Sequence, residues 1–128
     1  MLEMNPEIVC DVIARAREFH AKEEVVIPEE PGNPGDDWAM QILADHADDL
    51  TYLDLKTQID DLDPEQQVRL VALMWLGRGD YEVDEWEMAI EDAKDNWTPT
   101  TAEYLIATPM VSDYLTEGLE LLGYSCEE

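Results

Sequence analysis

Apolar positions recur at helical spacing along most of the chain. In the first segment one stripe consists of Ile8, Val12, Ala16 and Phe19. Asn5 followed by Pro6 precedes that stripe, and this pair is typical of a helix N-cap and first helical position. The chain therefore opens with an amphipathic helix.

Residues 68–79, VRLVALMWLGRG, are apolar almost all round, which is typical of a helix buried at the centre of a fold. Asp63, Pro64 and Gln66 supply an N-cap, a first-turn proline and a capping-box partner for it. We expect Gly77 to end this helix as its C-cap.

Helix signals continue along the chain, while strand signals are almost absent. Further helix starts are predicted at Asp36/Asp37, Thr51, Asp84 with Glu87, Thr98-Pro99 and Thr108-Pro109, and Gly123 ends the last helix. The sequence predicts an all-α fold: a compact single-domain bundle of about six or seven short helices around a central apolar helix at residues 64–77. Residues 23–35, rich in Pro and Gly, are expected to form a loop, and residues 124–128 a fraying tail.

The charge is strongly unbalanced, with 32 Asp and Glu against 7 Lys and Arg and a net charge of -25. The basic residues are scattered, so direct binding to nucleic acid or to an anionic membrane surface is disfavoured. The acids are uneven along the chain: residues 80–95 sum to -7, whereas residues 68–79 sum to +2. Leu, Ile, Val and Phe still make up about 23% of the chain, enough for a folded core.

Two cysteines, Cys10 and Cys126, are too few for a disulfide framework. The acidic start MLEMNPEIV has no secretory signal, which favours a reducing cytoplasm. Cys10 is expected to pack in the first helix and Cys126 to lie in the tail. No apolar run reaches the roughly 20 residues that a membrane span requires.

Three segments carry a resemblance to a known family: VRLVALMWLGRGDYEVDEW, PGNPGDD with DHADD, and TAEYLIATPMVSDYLTEGLELLG. Together they resemble a family of short, acidic bacterial proteins catalogued only as a domain of unknown function. The resemblance covers nearly the whole chain and implies a bacterial, single-domain protein. It implies no activity, ligand or site residue.

One candidate ligand site consists of Trp75, Arg78, Asp80 and Trp86. Arg78 stands between two glycines after the central helix, where its guanidinium could bind a carboxylate or phosphate while a tryptophan stacks on it. The structural alternative is that Arg78 pairs with Asp80 and holds the turn. We favour that alternative, because structural ion pairs outnumber binding sites.

A candidate metal site centres on His46, with Asp45 and Asp49 beside it. An imidazole and carboxylates can bind a divalent transition metal if more ligands come from elsewhere. Solvated acids around a salt-bridging histidine are the favoured alternative. The acids Asp80, Glu82, Asp84 and Glu91 match a calcium-loop spacing, but Glu85 occupies the position that requires glycine. We predict no cofactor.

These features favour a small acidic helical interaction or accessory protein that binds a basic protein partner. One alternative is a small-ligand or enzymatic pocket around Arg78, Trp75 and Asp80, although no catalytic nucleophile is recognisable. Another is that the charge serves only solubility or salt tolerance. The sequence does not decide the oligomeric state. The apolar stripe on the last helix, Tyr114, Leu115, Leu119 and Leu122, could pack into the core of a monomer or form the interface of a dimer.

Overall fold

The structure, a computed structural model, describes residues 2, 4–23, 50–108 and 110–126. Within these residues it contains α-helices and a short 3₁₀ turn but no strand, which confirms the all-α prediction. The elements are α1 (Pro6–Glu23), α2 (Leu50–Asp60), α3 (Pro64–Arg78), the 3₁₀ turn Val83–Glu85, α4 (Trp86–Asp95), α5 (Thr101–Ala107) and α6 (Val111–Leu121). The predicted loop after residue 23 and the helix start at Asp36/Asp37 lie outside the described residues.

Helix α3 is the centre of the fold, as its apolar sequence predicts. It packs chiefly against α6 and α4, and its buried residues are Gln67, Val68, Leu70, Val71, Ala72, Leu73, Met74, Trp75 and Leu76. At its start the backbone N–H of Asp63 donates to Gln66 Oε1 at 3.0 Å, as expected for a capping box. The predicted cap thus sets where the central helix begins.

The end of α3 differs from the prediction, because the C-cap is Gly79 rather than Gly77. Gly79 has a φ of 94°, and its N–H donates to the carbonyl oxygen of Leu76. Gly77 instead lies where α3 meets α6: a Cβ there would stand 1.8 Å from the carbonyl oxygen of Tyr114. Gly118 mirrors it, with a Cβ position 2.4 Å from the carbonyl oxygen of Leu73. The two glycines let the backbones of α3 and α6 approach closely.

Helix α1 begins as expected, since Asn5 Oδ1 accepts the N–H of Glu7 at 2.9 Å. Its buried stripe packs against α6 and α2. On α6, Leu115 and Leu119 are buried within the same chain, while Tyr114 and Leu122 beside them are partly buried.

The cysteines correct the sequence interpretation, because Cys10 of α1 and Cys126 form a disulfide across a sequence separation of 116. Residues 124–126 are consequently held against the body of the protein and do not form a free tail. The N–H of Tyr124 also donates to the carbonyl oxygen of Leu119 at 2.9 Å. Local sequence around each cysteine carried no signal for a pairing so distant along the chain.

Helix α4 is preceded by a 3₁₀ turn, and its capping contact is shifted from the predicted Asp84/Glu87 pair. The N–H of Glu82 donates to Glu85 Oε1 at 2.9 Å, and the α-helix starts at Trp86. The hydroxyl of Tyr81 donates to Asp92 on α4, and this bond raises the pKa of Tyr81 to about 12. The two contacts hold the turn against the helix.

A largely buried ion pair joins α2 to α5. Lys56 Nζ lies 2.6 Å from Asp60 Oδ2 and 3.5 Å from Glu103 Oε2, whose side chain is only 6% exposed. The hydrogen bond to Asp60 raises the pKa of Lys56, while burial raises the pKa of Tyr52 nearby. Lys56 therefore stays charged and acts as a structural cation. Of the helices described here, none is long and apolar enough to cross a membrane.

Candidate functional site

The structure brings Trp75, Arg78 and Asp80 together at the end of α3. Arg78 Nε donates to Asp80 Oδ2 at 2.8 Å, and the second guanidinium contact to the same oxygen is 2.6 Å. Three quarters of the Arg78 side chain is covered. This arrangement agrees with the structural alternative, in which Arg78 holds the turn.

Trp75 is equally engaged. Its Nε1 donates to the hydroxyl of Tyr104 at 3.0 Å in the buried core, and its ring lies 6.0 Å from that of Tyr81. Burial raises the pKa of Tyr104, and the Trp75 hydrogen bond opposes that rise. Trp75 is only 8% exposed, so its role here is packing.

The fourth predicted residue, Trp86, lies in the floor of a groove between α3 and α4. The metal candidates His46, Asp45 and Asp49 lie outside the described residues. Among the residues that are described, no three His, Cys, Asp or Glu side chains are grouped as metal ligands would be.

A groove runs between α3 and α4. It consists of two adjoining cavities of about 540 and 230 Å³, which share Arg69 and Ile90. The larger is lined by Arg69, Val83, Asp84, Trp86, Glu87, Ile90 and Glu91. The smaller is lined by Pro64, Glu65, Val68, Arg69, Ile90, Lys94 and Trp97. We call the two together the α3–α4 groove.

The floor of the α3–α4 groove is apolar. Val68 of α3 is 5% exposed, Trp86 of α4 is 3% exposed, and Ile90 is partly buried between them. The pattern follows from α4 being amphipathic: Trp86, Ala89 and Ala93 turn inward to the core, which leaves Ile90 at the margin.

The rim of the groove is acidic. Asp84, Glu87 and Glu91 are all exposed, and Glu87 and Glu91 stand one helical turn apart on the same side of α4. Within the described part of the chain, none of these three carboxylates forms an ion pair. The groove thus combines an apolar floor with three carboxylates that form no ion pair with any residue the structure describes.

Arg69 lies in this groove but is bound to carbonyl groups. Its Nε donates to the carbonyl oxygen of Leu2 at 3.0 Å, and its NH1 donates to that of Glu65 at 3.0 Å. These two bonds direct the guanidinium to backbone acceptors of the chain. Among the described residues, Arg69 forms no ion pair with a rim carboxylate.

Trp97 forms one end of the groove and is held in place by a buried amide. Its Nε1 donates to Gln67 Oε1 at 2.7 Å, while Gln67 Nε2 donates to the carbonyl oxygen of Ile59 at 2.8 Å. Trp97 itself remains 37% exposed. An oriented, partly exposed indole can contact an apolar side chain or stack on a cation.

Sequence reasoning missed this groove, because it treated residues 68–79 as covered on all sides. The usable signal was on α4, where Glu87 and Glu91 share one side and Ile90 lies next to them. Arg69, Val68 and Trp97 become part of the site only when α3 packs against α4.

A family model described as "Protein of unknown function (DUF3775)" matches residues 52–124 of the chain. These residues include the whole α3–α4 groove and both interhelical glycines, whereas α1 with Cys10 lies before them. No curated protein and no solved structure matches the chain.

Proposed function

The chain belongs to the DUF3775 family of proteins of unknown function, and we propose that it is an interaction protein that binds a basic protein partner in the α3–α4 groove. The observation that carries the proposal is the set of carboxylates on Asp84, Glu87 and Glu91, which are unpaired within the described part of the chain and surround an apolar floor. A partner segment that combines Lys or Arg with an apolar side chain complements both features.

Two parts of the groove would contact two kinds of partner side chain. Cations of the partner would lie against the rim at Glu87 and Glu91, where each forms a charge-assisted hydrogen bond. An apolar side chain would cover Val68 and Ile90 and contact the exposed face of Trp97. Contacts with the apolar floor give the site a specificity that charge alone does not provide.

The wider acidic surface would speed the encounter. Exposed acids lie on every described α-helix except α5, and residues 80–95, next to the groove, contain six of them. A net charge of -25 attracts a basic partner from a distance, and that attraction weakens as salt is added. The groove would then select among the basic chains that reach it.

A test is the binding of a short labelled peptide of leucine and lysine, measured by fluorescence anisotropy at low salt. We expect Glu87→Gln with Glu91→Gln to weaken binding about tenfold, because two exposed contacts of up to about 1 kcal/mol each are lost. The matched control is Asp113→Asn with Glu117→Gln, which removes the same charge from exposed positions one turn apart on α6. We expect less than a twofold change from the control.

A second peptide, in which serine replaces leucine at equal charge, tests the apolar floor. Trp97→Ala should weaken binding of the leucine peptide and leave the weaker serine peptide unaffected. Equal weakening by the α4 and α6 double variants would contradict a groove and indicate attraction to the acidic surface as a whole. No binding of either peptide at low salt would contradict the proposed function.

The same proposal places the protein in the cytoplasm of a bacterium. The segment LVALMWLGRGD, which resembles short bacterial proteins, supports the bacterial source. Fractionation of the source cells, followed by immunodetection, tests this location, and recovery from an extracytoplasmic fraction would contradict it.

A further inference from the structure

The Cys10–Cys126 bond links two residues that lie near opposite ends of the described chain. It joins α1 to residues just beyond α6 across 116 positions. Both cysteines are only partly buried. The bond therefore lies at the surface, where it is open to other molecules.

Two surface cavities reach the bond from different sides. One, of about 330 Å³, is lined by both cysteines together with Asp11, Arg17 and Glu120, among others. The other, of about 430 Å³, has Cys10 and Ser125 in its lining. Thiol–disulfide exchange needs a path for the attacking thiolate to a sulfur atom, and these cavities provide one.

A chain of contacts leads from the bond to the α3–α4 groove. Tyr124, two residues before Cys126, accepts a long hydrogen bond of 3.5 Å from the N–H of Leu2 through its hydroxyl. Leu2 is fully buried, and its carbonyl oxygen accepts the bond from Arg69 Nε at 3.0 Å. Arg69 lines both cavities of the groove. The terminal residues thus help to hold the one arginine that we find in the groove lining.

We propose that Cys10–Cys126 is a reversible thiol-exchange site that controls partner binding in the α3–α4 groove. The inference rests on the proposed function, since it regulates that site. A dithiol reductant breaks the S–S bond: its two thiols are oxidised to a disulfide, and the two cysteines take up the two electrons and two protons. In a reducing cytoplasm the bond re-forms only by the reverse exchange, in which an external disulfide takes up the two electrons and two protons and leaves as two thiols.

Opening the bond has a defined consequence for the groove. Residues 125 and 126 are then no longer tied to α1. Tyr124 keeps its N–H bond to Leu119, but its side chain gains the freedom to leave the N–H of Leu2, whose carbonyl binds Arg69. The guanidinium is then free to pair with Asp84, Glu87 or Glu91 across the groove. That pairing neutralises part of the rim, so the reduced protein binds a basic segment more weakly.

The test compares the oxidised protein with protein reduced by dithiothreitol, using the leucine–lysine peptide. We expect reduction to weaken binding about two- to fivefold, the range of one exposed ion pair. Cys10→Ser with Cys126→Ser should match the reduced protein whether or not dithiothreitol is present. Arg69→Gln should bind the peptide equally in both states, because the competing cation is gone.

Alkylation and mass spectrometry, together with far-UV circular dichroism, complete the test. Two free thiols that appear under dithiothreitol while the helical signal persists support an exchange site. A bond that resists dithiothreitol in the folded protein, or reduction that unfolds the protein, would overturn the inference. Equal peptide binding by the two states would also overturn it, with the proposed function left intact. Failure of both states to bind would instead reject the proposed function itself.

Discussion

Gly77 and Gly79 lie two residues apart and meet different steric demands. Gly79 needs its left-handed φ of 94° but has no atom near its Cβ position, whereas a Cβ on Gly77 would stand 1.8 Å from a backbone oxygen of α6. A backbone atom cannot swing aside as a flexible side chain can. The helices themselves would have to separate to admit a methyl group at Gly77.

We therefore predict that Gly77→Ala lowers the free energy of unfolding by about 3 kcal/mol, at the upper end of overpacking costs. Gly79→Ala is the control and should cost about 1 kcal/mol, the penalty for a side chain at positive φ. Urea unfolding followed by circular dichroism measures both. Equal losses for the two variants would mean that α3 and α6 do not meet at Gly77.

Sequence patterns located some residues well and others poorly, according to how local their partners are. Asn5, Asp63 and Gln66 bond within a few positions of themselves, so their roles as caps could be predicted. Gly77 was assigned a local role, as a C-cap, because its true contact is 37 residues away at Tyr114. Cys10 and Cys126 are 116 positions apart in the sequence, so local sequence patterns could not predict that they pair.

At the scale of helices, the contact between α2 and α5 depends on one cation. Glu103 Oε1 is buried without a hydrogen-bond partner, and Lys56 lies 3.5 Å from the other carboxylate oxygen. Removing Lys56 would leave a buried carboxylate with no opposite charge. Such a loss costs more than the ion pair contributes while both partners are present.

We predict that Lys56→Met lowers the free energy of unfolding by about 2–3 kcal/mol, less than for a fully buried pair because one third of the lysine side chain is exposed. Adding Glu103→Met should restore most of that loss. Asp60→Asn removes the more exposed partner and should cost under about 1 kcal/mol. A double variant no more stable than Lys56→Met would show that the cost is packing rather than charge.

The packing of helices α3 and α4 also explains why the α3–α4 groove could not be predicted from the sequence. The all-apolar pattern of residues 68–79 correctly predicts a central helix. It does not say how much of that helix each neighbour covers. Helix α4 starts at Trp86, after the 3₁₀ turn and one residue later than a cap at Asp84 implied, and Arg69 stays partly exposed beside it.

For the whole molecule, the dispersed acids predict a dependence of stability on salt. Mass scaling gives a mean spacing of roughly 17 Å between net charges, shorter than the screening length of about 30 Å at 10 mM salt and longer than about 8 Å at 150 mM. We expect the Tm to rise by several degrees over that range, as measured by calorimetry. Asp113→Asn with Glu117→Gln and Glu120→Gln should flatten the rise. A Tm independent of salt would contradict a role for self-repulsion.

The disulfide also changes how the molecule responds to mechanical force. With Cys10 and Cys126 joined, the chain from one cysteine to the other, a sequence separation of 116, forms a closed ring. A load applied across those two residues then passes through two sulfur atoms and bypasses the helices. Once the bond opens, the same load unravels a chain that extends by up to about 400 Å. In the oxidised protein, a force applied at Cys10 and Cys126 therefore cannot extend the chain between them.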